Sequence, residues 1–152
     1  MRIVVDDLSG PEIARFLTDH LAHMREVSPP GSVHALDLDA LRRPDVTFWS
    51  VYDDADELVG CAAVKRHDAT HGEIKSMRTR PDRRGTGVGA LLLEHVLAEA
   101  EAMGLARLSL ETGSTVHFAP ARGLYARYGF EPCGPFADYT DDPHSAYLTR
   151  TL

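Results

Sequence analysis

Between residues 80 and 96 the chain reads RPDRRGTGVGALLLEHV, passing from clustered charge through alternating glycines into an apolar run. A helix N-terminus exposes N–H groups without intrahelical acceptors and carries partial positive charge, so a loop wrapped around it can hold a phosphate. Gly85, Gly87 and Gly89 remove the Cβ atoms that would keep an anion at a distance. The amides of residues 85 to 90, with Arg83 or Arg84 adding a charge-assisted contact, therefore read as a diphosphate cradle. Three cradle types compete. A Walker A loop needs a Lys after its last glycine, and none follows here. GTGVGA satisfies the dinucleotide fingerprint, with Glu111 about 20 residues on. That fingerprint, however, requires a buried apolar strand running straight into the first glycine, whereas this entry, RTRPDRR, is polar and broken by Pro81. The pattern R-x-x-G-x-G on Arg84, Gly87 and Gly89, after a strand and a basic turn, fits best.

The elements that must hold this loop can be read from periodicity. Gly87 to Met103 forms a helix in which Val88, Leu91, Leu92, Val96, Leu97 and Ala100 repeat at helical spacing, closed by Gly104 at the C′ position. Upstream, RIVV (2 to 5) reads as a strand, and Ser9 with Glu12 predicts a capping box for a helix from Gly10 to Met24. A shorter helix spans Asp37 to Arg43. VTFWSVY (46 to 52) and LVGCAAVKR (58 to 66) predict a hairpin around DDADE, and GEIKSMRT (72 to 79) a third strand. After the glycine-led helix come RLSLE (107 to 111), a helix from Pro120 to Tyr128, and short strands at FEPC and AYLTRTL. Interleaved strands and helices of this order describe one mixed α/β domain spanning 1 to 152.

Composition narrows the function classes. With 16 Lys plus Arg against 23 Asp plus Glu, the net charge of -7 argues against a nonspecific grip on nucleic acid or on an anionic membrane. No segment approaches the roughly 18 apolar residues of a membrane span, and no leader precedes the first strand, so a cytoplasmic protein is expected. Cys61 and Cys133 lack metal or redox spacing and are expected to be buried structural thiols. The pairs His20 with His23 and His67 with His71 come without a third ligand, so no metal is expected.

EIKSMRTRP followed by RRGTGVGALLLEH resembles the central coenzyme A motif of the GNAT superfamily of acyl-CoA-dependent N-acyltransferases, and ARGLYARYGF (121 to 130) resembles its next motif. The likeness reaches nearly the whole chain. It implies a mixed, mainly antiparallel central sheet of six to seven strands flanked by about four helices, with acetyl-CoA as acyl donor and a small-molecule amine as acceptor. It further implies that the amides of Arg84, Gly85, Thr86, Gly87, Val88, Gly89 and Ala90 take the pyrophosphate. The backbone of Met77, Arg78 and Thr79 would pair with the pantetheine arm like an added strand. Many members have Asn where this chain has Phe118, which makes Phe118 a cofactor contact of altered chemistry. Dimers are frequent in the superfamily, so a homodimer is admitted.

An amine attacking a thioester must lose a proton, and the departing thiolate benefits from an acid. By resemblance Glu73 is the general base, Tyr125 protonates the sulfur and also touches the cofactor, and the Met77 N–H meets the oxyanion. Each has a plainer reading: a solvated strand-end carboxylate for Glu73, core packing for Tyr125. Glu111 and Thr112 lie where an acceptor cleft would open, and His34 and Trp49 are weaker acceptor contacts, Trp49 fitting a core position better. The expected activity is direct acetyl transfer to a primary amine of a small or amino-acid-like molecule. A non-catalytic acyl-CoA-binding module and a nicotinamide dinucleotide-binding protein are the alternatives.

Overall fold

In the computed structural model, which describes residues 1–32 and 37–152, seven strands form one sheet in the order β1-β2-β3-β4-β5-β7-β6. The strands are β1 (Arg2–Val5), β2 (Val46–Tyr52), β3 (Leu58–Arg66), β4 (His71–Thr79), β5 (Arg107–Gly113), β6 (Glu131–Cys133) and β7 (Ser145–Thr151). Only β4 and β5 pair in parallel; the other neighbours run antiparallel. The helices are α1 (Pro11–Val27), α2 (Leu38–Leu41), α3 (Val88–Ala102) and α4 (Ala119–Arg127).

The centre of the sheet is covered on both faces, which is why β3 reads as a near-continuous apolar run with its first seven residues buried. Ile13 and Leu17 of α1 pack with Leu8, Leu41, Phe48, Cys61 and Ala63 on one face. On the other face Val88, Leu92, Leu93, Val96 and Ala100 of α3 meet Val51, Val59, Val64, Ile74, Leu108 and Leu110. Leu93, rather than the expected Leu91, completes the buried stripe of α3, because two adjacent positions face a sheet this broad.

The capping box expected at α1 does not form. Gly10 is the N-cap and makes no side-chain bond, Ser9 Oγ donates to Asp7 Oδ1 at 2.6 Å, and Glu12 Oε1 accepts from the Leu58 amide at 3.4 Å. The nearer carboxylate captures the serine, and the glutamate ties the helix to β3 instead of to its own first turn.

The feature that makes room for a site is a parting of the sheet. The β4–β5 ladder joins His71–Ile74 to Arg107–Leu110 and goes no further, although both strands continue. The parting begins at a bulge in β4. Cys61 is opposite Arg78 and Ala63 opposite Lys75, so two residues of β4, Ser76 and Met77, face Ala62 alone. Ser76 takes a left-handed φ of 51°, and an extra residue of this kind bends a strand out of register.

Candidate active site

The parted strands form the walls of a cleft of about 800 Å³. Lys75 to Thr79 line one side, Leu110 to Thr112 the other, the loop and first turn of α3 one end, and Tyr125 of α4 the floor. α1 contributes His20, His23 and Met24, a wall that its sequence did not announce, because its apolar stripe pointed only to the core.

At the glycine-led end, Gly85 and Gly87 adopt φ values of 76° and 94°. A Cβ at either would meet nothing within 4 Å, so it is backbone conformation that calls for glycine at these two positions. Gly89 differs: a Cβ there would come 3.2 Å from Leu124 Cδ2, so it is glycine because α4 packs closely on α3. Arg83 is ion-paired with Asp53, leaving Arg84, which lines the cleft and makes no ion pair among the described residues, as the cation for a phosphate. Arg78 stacks over Phe16 at 5.6 Å and sets Nη1 3.0 Å from His20 Nδ1, while its Nε is buried without a hydrogen-bond partner. Desolvation and the neighbouring Arg78 push the His20 imidazole down to about 4, so the ring is neutral beside that guanidinium. An orphaned guanidinium nitrogen, an unpaired arginine and the open amides of a helix start are a donor set that fits a diphosphate.

Deeper in, Glu73 is only 2% exposed, which removes the solvated strand-end reading. His67 Nε2 lies 2.7 Å from its Oε1, while the Tyr139 hydroxyl donates to its Oε2 at 2.6 Å. Lys75 Nζ lies 3.3 Å from the same Oε2 and donates to Tyr139 Oη at 2.8 Å. A buried carboxylate is tolerated only when paired and hydrogen-bonded in this way. Sequence reasoning missed Lys75 and Tyr139. Period-two alternation along β4 puts Lys75 on the face of Glu73 and was a usable signal, whereas Tyr139 arrives from a loop 66 residues away.

Tyr125 is buried, set edge-on to Phe130 with ring centroids 5.7 Å apart, and lines the cleft. Burial, with a smaller contribution from Glu111, pushes its phenol well above the usual range. It therefore stays protonated and can serve as a donor. Met77, Glu111, Thr112 and Phe118 also line the cleft. Phe118 packs so tightly on β5 that a Cβ at Gly113 would overlap its ring.

One expected acceptor contact is not among these walls. Trp49 is 2% exposed within the α3-side core, edge-on to His95 at 5.3 Å, and β3 separates β2 from the parting; an acceptor cannot reach it. His34 lies outside the described residues. The thiols also differ from expectation: Cys61 is buried, but Cys133 is only half-buried on the short edge strand β6. Among the described residues no group of three or more His, Cys, Asp or Glu is arranged to hold a metal, and no helix is long and apolar enough to cross a membrane.

A family model described as the acetyltransferase (GNAT) family matches residues 13–130. The Bacillus subtilis protein called uncharacterized N-acetyltransferase YsnE is 50% identical over 100% of both chains. The Escherichia coli protein called uncharacterized N-acetyltransferase YedL is 47% identical, covering 99% of this chain and 94% of its own. A GNAT family acetyltransferase from Elizabethkingia anophelis, solved with acetyl-CoA bound, superposes with a TM-score of 0.69 over 99% of this chain and 97% of its own; at 17% identity it shows a shared fold.

Proposed function

This chain belongs to the acetyltransferase (GNAT) family and is an acyltransferase, and we propose that it moves an acetyl group from acetyl-CoA to a primary amine of a small or amino-acid-like molecule by direct attack in a ternary complex. The observation that carries this reading is the parting of β4 and β5, which puts a buried, hydrogen-bonded carboxylate and a buried, protonated phenol on the walls of one cleft.

In this reading the amides of residues 84 to 90 and the Arg84 guanidinium hold the diphosphate, and the unpaired edge of Met77 to Thr79 takes the pantetheine arm as an added strand. Phe118 offers the coenzyme an apolar ring. Acetyl-CoA supplies an acyl thioester activated toward nitrogen. Glu73 accepts the proton that the attacking amine loses. The Met77 N–H, turned by the bulge at Ser76, donates to the carbonyl oxygen as it gains charge. Tyr125 donates to the sulfur as it departs, its raised pKa keeping the proton on the phenol until charge develops there. Glu111 and Thr112 face the acceptor. Neither cysteine is used, since the Cys61 thiol is buried and Cys133 does not line the cleft.

The test is release of free thiol from acetyl-CoA across a panel of primary amines: aminoglycosides, amino acids and polyamines. At least one should accept the acetyl group, and Glu73→Gln and Tyr125→Phe should each lower kcat by about 10²-fold while coenzyme A still binds. Full rates in both variants would remove the assigned roles. Coenzyme A binding without turnover on any amine would instead identify a non-catalytic binding module, and binding of NAD but not coenzyme A would overturn the cradle itself.

A further inference from the structure

We propose that Tyr139 is a further catalytic residue: its phenol oxygen takes the proton from the attacking nitrogen while its own proton passes to Glu73. The inference rests on the reading of Glu73 as the base and specifies how a proton reaches it.

Glu73 is poorly placed to meet an acceptor directly. It is almost wholly buried, and each carboxylate oxygen is already engaged, Oε1 by His67 at 2.7 Å and Oε2 by Tyr139 at 2.6 Å with Lys75 at 3.3 Å. An incoming amine would have to displace one of these partners. Both side chains line the cleft, but Tyr139 is only half-buried where Glu73 is almost wholly buried. A hydroxyl donates and accepts at once, so it can receive one proton as it releases another.

The step balances. The N–H bond of the acceptor breaks and its proton binds Tyr139 Oη. The Tyr139 O–H bond breaks and that proton binds Glu73 Oε2. The nitrogen pair, now free of the proton, forms the bond to the acyl carbon as the C=O π pair moves onto oxygen; when that pair returns, the C–S bond breaks and the sulfur leaves with the Tyr125 proton. Tyrosine ends as it began, and the carboxylate ends protonated. Lys75 Nζ, donating to Tyr139 Oη at 2.8 Å, opposes any negative charge that gathers on the phenol during the exchange. Burial and the adjacent Glu73 keep the resting phenol protonated, as a relay requires and an ionised base would not.

The backbone is committed to this placement. Ala137, two residues before Tyr139, holds a left-handed φ of 50°, a conformation that a non-glycine residue adopts only at a cost. It allows the turn in which the Tyr139 amide donates to the Phe136 carbonyl at 3.0 Å, with the Phe136 and Tyr139 rings 5.1 Å apart. His67 is then a positioning residue, anchoring the far oxygen of Glu73.

Tyr139→Phe, Glu73→Gln and the double variant separate the possibilities, assayed with the fastest amine of the panel and, as an acceptor-independent readout, by slow hydrolysis of acetyl-CoA by water. A thermal shift by coenzyme A checks that each variant is folded. Tyr139→Phe should lower kcat at least tenfold with KM for acetyl-CoA within twofold, and the double variant should be no slower than the slower single one, because the two groups act as a unit. A proton inventory in mixed H₂O and D₂O should be curved in the wild type, for two protons in flight, and linear in Tyr139→Phe. Unchanged kcat in Tyr139→Phe with a slow Glu73→Gln would overturn the relay and leave Glu73 as a direct base. Full rate in both would sink the base assignment. A linear wild-type inventory would reduce Tyr139 to a structural support of Glu73.

Discussion

Cys61 carries a thiol that chemistry cannot use. It is fully buried, donates to the Ser76 carbonyl at 3.2 Å, and is pushed up to about 12 by burial, so at pH 8 only about one molecule in ten thousand holds a thiolate there. Cys133, half-buried on an edge strand, is raised more modestly and remains within reach of a reagent. A maleimide at pH 8 should therefore label one thiol per native chain, at Cys133, and a second only in urea. Native labelling of Cys61 at the denatured rate would show that the β3–β4 contact opens and would reopen the question of an acyl-cysteine. The serine carbonyl it contacts belongs to the bulge that starts the parting, so the buried thiol is part of the wall.

At the scale of elements, the join between β5 and α4 is tightly packed. Gly113 ends β5 and Phe118 closes the following 3-10 turn, Val116–Phe118, its ring lying where the Cβ of any other residue at 113 would sit. Gly113→Ala must expel that ring; it should cost about 1–3 kcal/mol of stability in urea unfolding and weaken coenzyme A binding. Gly113→Ala combined with Phe118→Ala should recover most of the lost stability. If the single alanine is neutral, Phe118 is not held as described. The same scale divides what was legible in the sequence from what was not. The strands and α3 follow from β-branched runs and helical spacing bounded by turn residues, and the three glycines marked the loop that ends the cleft, because these signals are local. α1 kept its place but not its cap, since Asp7 and Leu58 outcompeted the local pairing of Ser9 with Glu12. Glu73 was identified from a motif, yet its burial, its lysine and its tyrosine depend on contacts across the sheet and from a distant loop. Trp49 could be read both as core and as a weaker acceptor contact, because strand periodicity does not tell which of two covered faces a residue occupies; the core reading holds.

For the molecule as a whole, the lowered histidines and the lowered aspartates both withdraw stability as pH falls, the histidines at the higher pH, and His20 leads them. Its folded pKa of about 4 lies below the unfolded value of 6.5, so between those limits the unfolded chain binds more protons. Stability from this group is fully present above pH 6.5 and is lost as pH falls toward 4. At 1.36 kcal/mol per unit the loss is bounded at about 3 kcal/mol, and solvent reaching the half-buried ring reduces it. His23 and His71, both also lowered by burial, act in the same direction, whereas Asp7, Asp53, Asp68 and Asp82, whose hydrogen bonds hold them below the usual carboxylate range, lose their contribution only at lower pH. Comparing His20→Asn with the wild type by urea unfolding at pH 6.5, 5.5 and 4.5 isolates the one ring: the wild type should fall more steeply, with the two curves converging at the acid end. A diphosphate held by Arg84 and Arg78 would bring negative charge beside this imidazole and favour its protonated form. Saturating coenzyme A should therefore flatten the wild-type slope and leave that of His20→Asn largely unchanged. Equal slopes without coenzyme A would mean that His20 is solvated, and the wall that α1 gives the cleft would have to be drawn further out.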